Sequence, residues 1–214
     1  MIYLQEVLNL TPATPETLDS FIEVAQELLV PVCELLEVRL VVAWFSNHEW
    51  FSQVTHLFEF DDIEALKNFH KKTNQEPQWG EYTAQLEEFA PERRYRLLEP
   101  IGAVPPELLH KAIEDSQKKA LKVYSLATLE VTPNKMPQFI EGVREYAKMF
   151  PIIASLRPIG GNPNEVNDIW KGAIGPKNYS PAEEGMKEWF RNLREMAPKE
   201  RLVEIFPLPY SELK

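Results

Sequence analysis

The feature that most constrains this 214-residue chain is an internal repeat. Residues 3–11 form an apolar, β-favouring run that stops at Thr11-Pro12. Residues 15–29 then place Leu18, Phe21, Ile22, Ala25, Leu28 and Leu29 on one side, as an amphipathic helix does. Thr14 is its expected N-cap, Pro15 its first helical residue and Pro31 its stop. Strands are predicted over 38–45 and 51–60, joined by the polar, aromatic turn 46–50. Asp61-Asp62 caps a helix over about 62–73, with Ile63, Leu66 and Phe69 at helical spacing. A second helical piece runs through Tyr82 and Leu86, and a strand over 94–99 is closed by Pro100. The order is β-α-β-β-α-β, the ferredoxin-like unit.

The same order returns over 123–132, 136–149, 152–159, 164–173, 181–196 and 201–206. Thr132-Pro133 mirrors Thr11-Pro12, Pro151 mirrors Pro31, and Pro207 closes the last strand as Pro100 closes the fourth. Gly160-Gly161-Asn162-Pro163 makes a shorter turn than its counterpart, and Ala90-Pro91 reappears as Ala197-Pro198. This is the signature of a tandem duplication. The division it predicts is an N-terminal unit over 1–102, a connecting helix over 103–121 and a C-terminal unit over 122–214. One such sheet leaves a face that needs cover, so the two sheets are expected to pack together.

Composition narrows the function classes. The formal charge is −10, from 23 Lys and Arg against 33 Asp and Glu, so nucleic acid and anionic membrane are excluded as expected partners. The single Cys33 lies in an apolar neighbourhood and offers no disulfide framework, which makes it a small buried hydrophobe. No apolar run reaches the length that crosses a bilayer, and the N-terminus lacks the pattern of a signal peptide, so a cytoplasmic location is expected. No glycine-rich phosphate loop or nucleophile elbow is present, and His, Asp and Glu do not fall at metal-ligand spacing. No metal is expected.

The strand over 51–60 alternates, with Val54, His56, Phe58 and Phe60 on one face. His56 therefore points into an apolar space, where it could serve as a general acid or base near neutral pH. It could equally be a core histidine satisfied by its surroundings. Aligning residues 53–58 (QVTHLF) with 165–170 (EVNDIW) places Asp168 at the position of His56 and Trp170 at that of Phe58. A carboxylate there is costly to bury unless paired or protonated. It is read either as a second proton-transfer group, with Trp170 as a wall for a planar substrate, or as an ion pair with Arg157 or Lys171. Tyr3 and Tyr124 begin equivalent strands and could hydrogen-bond a substrate oxygen. Arg157 interrupts an apolar strand and could hold a carboxylate in its fork; Arg39 sits in a comparable strand, so an inter-strand pair with Glu residues is the alternative reading. Trp44 is a candidate pocket wall, Trp50 and Trp79 read as structural, and His48, His70 and His110 as solvated.

The run of strand, Trp50, Gln53-Val54-Thr55-His56-Leu57-Phe58, Asp61-Asp62, helix and Pro77-Gln78-Trp79 resembles the NIPSNAP family of the dimeric α+β barrel, or ferredoxin-like, superfamily. The likeness spans most of the chain, since the second half repeats it in degraded form. It implies an α+β fold in which two units form within one chain the barrel that single-unit relatives make by dimerising; it leaves homodimerisation open. Relatives in that superfamily include cyclases, isomerases and cofactor-free oxygenases of specialised biosynthesis. The resemblance implies a cofactor-independent enzyme acting on a small, apolar, carbonyl-bearing molecule, with His56 and Asp168 catalytic and Trp44, Phe58, Tyr124, Arg157 and Trp170 binding substrate. Two alternatives stay open, a non-catalytic ligand-binding or scaffold protein and a haem-dependent oxygenase with His56 as iron ligand. Were His56 purely chemical, His56→Ala would abolish turnover and leave the melting temperature nearly unchanged.

Overall fold

A computed structural model describes residues 1–48, 50–146, 150–173 and 184–214. It divides into two units, Met1–Leu98 with Phe206–Lys214, and Glu99–Ile205. The first contains β1 (Ile2–Asn9), α1 (Pro15–Val24), α2 (Val30–Leu36), β2 (Arg39–Ser46), β3 (Gln53–Phe60), α3 (Ile63–Thr73), α4 (Pro77–Phe89) and most of β4 (Arg93–Pro100). Its strands pair antiparallel in the order β4-β1-β3-β2. The second contains α5 (Glu107–Lys118), β5 (Tyr124–Glu130), α6 (Met136–Tyr146), β6 (Ile152–Pro158), β7 (Glu165–Lys171), α7 (Glu184–Met196) and most of β8 (Lys199–Pro207). There the order is β8-β5-β7-β6, again antiparallel. Both are ferredoxin-like α+β units, as the repeat predicts. The predicted end of α6 at 147–149 and start of α7 at 181–183 lie outside the described residues.

Details confirm the duplication independently of residue identity. Thr11 N–H donates to the Phe89 carbonyl at 2.8 Å, and Thr132 N–H to the Met196 carbonyl at 2.7 Å. The register of β2 against β3 slips between Leu40 and Val42, and that of β6 against β7 between Ile152 and Ala154, so each second strand bulges at the equivalent position.

Pro31 does not end the first helix. Inside an α-helix its missing N–H and its ring would both disturb the carbonyl four residues back. One π-turn over Ala25–Leu29 absorbs this, with Val30 N–H reaching the Ala25 carbonyl, and the helix continues as α2 to Leu36. Glu37 stops it in the left-handed region, at φ 57°, while Val38 N–H returns to the Cys33 carbonyl.

The residues predicted to connect the halves form α5, which belongs to the second unit and buries Leu109, Ala112 and Ile113. The last nine residues belong to the first. Trp44 and Phe45 of β2 pair with Pro207 and Phe206. Beyond them Leu208 N–H donates to the Ala43 carbonyl and Leu213 N–H to that of Val41. Ser211 Oγ accepts from Ala43 N–H at 2.9 Å in a buried setting. Ser211→Ala leaves that N–H unsatisfied and is expected to cost about 1–3 kcal/mol in urea unfolding.

Each unit buries one sheet face under its helices. In the first, Leu4, Leu8, Val54, Phe58 and Phe60 meet Phe21, Ala25, Leu29, Tyr82 and Leu86. In the second, Ala127, Leu129 and Val166 meet Phe139 and Val143. Among the described residues no helix is long and apolar enough to cross a membrane.

Candidate active site

The helix-covered face of the first unit's sheet carries one polar chain through its apolar core. Leu4, Glu6 and Leu8 alternate on β1, so Glu6 lies among apolar neighbours. The antiparallel register sets His56 of β3 opposite Glu6 on one side and Tyr95 of β4 opposite it on the other. Cross-strand neighbours on one face stand within side-chain reach, and here all three join. Tyr95 Oη donates to Glu6 Oε1 at 2.9 Å, and His56 Nδ1 lies 2.9 Å from Glu6 Oε2. His56 Nε2 is 2.8 Å from Tyr210 Oη, which the C-terminal segment brings in.

A carboxylate only accepts hydrogen bonds, so in the neutral imidazole Nδ1 carries the proton and Nε2 accepts from Tyr210. The chain reads Tyr95–Glu6–His56–Tyr210, with His56 fully buried and Tyr95 55% exposed. Phe21 of α1 stacks over His56 at 6.1 Å between centroids, and Phe58 stands edge-on at 5.8 Å. Burial and the Glu6 charge hold the phenols of Tyr95 and Tyr210 well above the usual range. Neither ionises alone near neutrality, and each serves as a hydrogen-bond donor. Burial and the charges of Glu6 and Glu34 push the Cys33 thiol up to about 12, so it packs as a small apolar group.

The second unit lacks this chain, position by position. Asp168 stands where His56 does, and Ala127 faces it where Glu6 would. Leu202 takes the place of Tyr95 opposite Ala127. Ile101 N–H donates to the Ser155 carbonyl as Leu208 N–H does to that of Ala43, which sets Ala103 at the position of Tyr210. Asp168 is paired across the sheet with Ser155, whose hydroxyl donates to it, and with neither Arg157 nor Lys171. Burial raises its carboxyl to about 7; the Ser155 bond lowers it and the Glu200 charge adds to the rise.

The other sequence candidates fall as follows. Phe58 touches His56, and Trp170 shares the face of Asp168, its indole N–H buried without a partner among the described residues. Trp44 pairs with Thr55, so it lies on the opposite face from His56. Tyr124 pairs with Lys171, on the opposite face from Asp168. Arg157 is engaged by Glu99, and Arg39 by Glu59 and Glu212. Trp50 donates to the Leu10 carbonyl and Trp79 packs on Phe69, both structural. His48 and His70 are exposed. With both ring nitrogens engaged in a packed core, His56 presents no free nitrogen to a haem iron. Among the described residues no group of three or more His, Cys, Asp or Glu could hold a metal ion.

No family model matches the chain, and no curated protein matches it. Among solved structures, a candidate monooxygenase from Lactobacillus acidophilus NCFM superposes with a TM-score of 0.65 at 11% identity, over 99% of this chain and 96% of that one. A second, from Fusobacterium nucleatum, gives 0.60 at 10% identity, over 97% and 92%. A NIPSNAP domain protein from Burkholderia xenovorans matches at 0.44 and 16% identity, covering 49% of this chain and 99% of its own. Over its whole length the chain thus has the α+β fold of the first two structures, and NIPSNAP domain proteins stand among its structural neighbours.

Proposed function

We propose that the first unit is a cofactor-independent proton-transfer centre acting on a small, apolar, carbonyl-bearing molecule. The observation that carries this reading is the directional chain Glu6–His56–Tyr210, in which each group fixes the protonation of the next. Tyr210 Oη ends the chain on a half-buried side chain. A carbon acid placed against it gives its proton to Tyr210 as Tyr210 gives its own to His56 Nε2. The C–H bond breaks, the substrate keeps the electron pair as an enolate, and Glu6 stabilises the imidazolium. Return of the proton to another carbon is an isomerisation, and attack of the enolate on a second carbonyl closes a ring. Neither needs an oxidant. Asp168, protonated below about pH 7, is a further acid in the second unit, where no equivalent chain supports it.

The two neighbours named as candidate monooxygenases suggest a variant, in which the same carbanion meets dioxygen. The complete burial of His56 favours a second reading, a ligand-binding protein in which the chain is structural. Deuterium exchange separates these. In D2O, wild-type protein should catalyse α-exchange of enolisable ketones, followed by proton NMR. Tyr210→Phe should slow it by about 10²–10⁴-fold, the range of a positioned acid–base group, while leaving the buried His56 Nε2 without its donor costs about 1–3 kcal/mol of stability. Exchange that is absent, or indifferent to Tyr210→Phe, sinks the catalytic reading.

A further inference from the structure

The centre of the first unit holds one polar atom that the chain above does not use. Tyr82 lies on α4 with Leu86 and Phe89 at helical spacing on the same face. Phe89 meets Phe21 edge-on at 6.0 Å, and Phe21 is the ring stacked on His56. Trp79 stands edge-on to Tyr82 itself at 5.7 Å. Tyr82 is 1% exposed, and its hydroxyl has no hydrogen-bond partner among the described residues. Buried hydroxyls are nearly always paired, and leaving one unpaired destabilises a fold. Tyr210, packed against the same core, obeys the rule by bonding His56. Burial holds the Tyr82 phenol well above the usual range, and the Glu6 charge adds to the rise.

Tyr82 belongs to the core cluster against which Tyr210 packs, and an unpaired donor in that core matches what an enolate requires. As a carbon acid loses its proton, negative charge gathers on the carbonyl oxygen, and the Glu6 carboxylate disfavours that charge. A hydroxyl aimed at that oxygen offsets it, and offsets more as the charge grows. We propose that Tyr82 Oη binds the substrate's carbonyl oxygen, the ligand class being a neutral, flat ketone, enol or phenol rather than a carboxylate. This rests on the proton-transfer reading and adds to it the group that stabilises the product of the transfer.

The test uses 4-nitrophenol as the probe, because its absorbance reports both binding and ionisation. Tyr82→Phe should bind it at least tenfold more weakly than wild type while melting at a higher temperature, since the unpaired hydroxyl is gone. Equal affinity, no binding by the wild type, or a lower melting temperature overturns the assignment. The two proposals fail separately. If Tyr210→Phe abolishes deuterium exchange but Tyr82→Phe keeps full affinity, only the Tyr82 assignment falls. If Tyr210→Phe leaves exchange intact while Tyr82→Phe loses affinity, the proton-transfer reading falls and Tyr82 stands as a ligand donor.

Discussion

His56→Ala is expected to lose about 3–5 kcal/mol of stability, the range for breaking a buried pair and stranding its partner. The side chain is fully buried between Phe21 and Phe58, so its removal also opens a cavity. Glu6, itself 5% exposed, then keeps, among the described residues, only the Tyr95 hydroxyl as a side-chain donor. This departs from the expectation that a purely chemical His56 could be removed without effect on melting, since here the histidine also completes the core. Urea unfolding of single and double variants checks it. Glu6→Leu combined with His56→Leu should recover part of the loss, because no charge is stranded, while the Tyr210 hydroxyl loses its partner. The second unit already has Ala127 in place of Glu6. A His56→Ala protein that unfolds at the parent's urea midpoint would remove the basis for treating Glu6 and His56 as a coupled pair.

Asp168→Asn is expected to flatten the pH dependence of stability. Burial raises the folded-state value of this carboxyl from 3.8 to about 7. Below about pH 4 both folded and unfolded states hold the proton, and stability is full. Between there and pH 7 the unfolded chain releases it while the folded one retains it, so stability falls; above pH 7 it levels off. The gap corresponds to roughly 4 kcal/mol. Asparagine carries no charge at any pH, so the variant should lack this decline and exceed the parent at pH 8. Guanidinium midpoints of both proteins at pH 4.5, 6 and 8 give the comparison, in which all other titrating groups cancel. Parallel curves would show that Asp168 is solvated or paired in solution.

Strand periodicity made part of the site legible. The alternation over 51–60 identified the face shared by His56 and Phe58, and the repeat located Asp168 and Trp170. Glu6 is legible on the same grounds, as one acid within Leu4-Glu6-Leu8, but the pattern alone does not tell it from the solvated acids of the chain. Trp44 and Tyr124 show the limit of the pattern. Period two tells which residues of one strand share a face, whereas matching faces between strands requires their register. Trp44 pairs with Thr55, and Tyr124 with Lys171, each one step out of phase with the candidate it was grouped with. Pro31 shows another limit, because local chemistry predicts a stop that a single π-turn removes.

By itself the sequence determined the two β-α-β-β-α-β units, their strand faces and helix starts, because caps, prolines and hydrophobic period act over a few residues. Tertiary structure alone decided that Tyr95, Glu6, His56 and Tyr210 join into one chain. Three of these meet through strand register, which depends on pairing across the sheet. The fourth arrives because residues 208–213 turn back along β2 and pair with Val41 and Ala43, more than 150 positions away in sequence. No local pattern encodes that return; it is fixed by backbone groups of β2 that only the folded sheet presents.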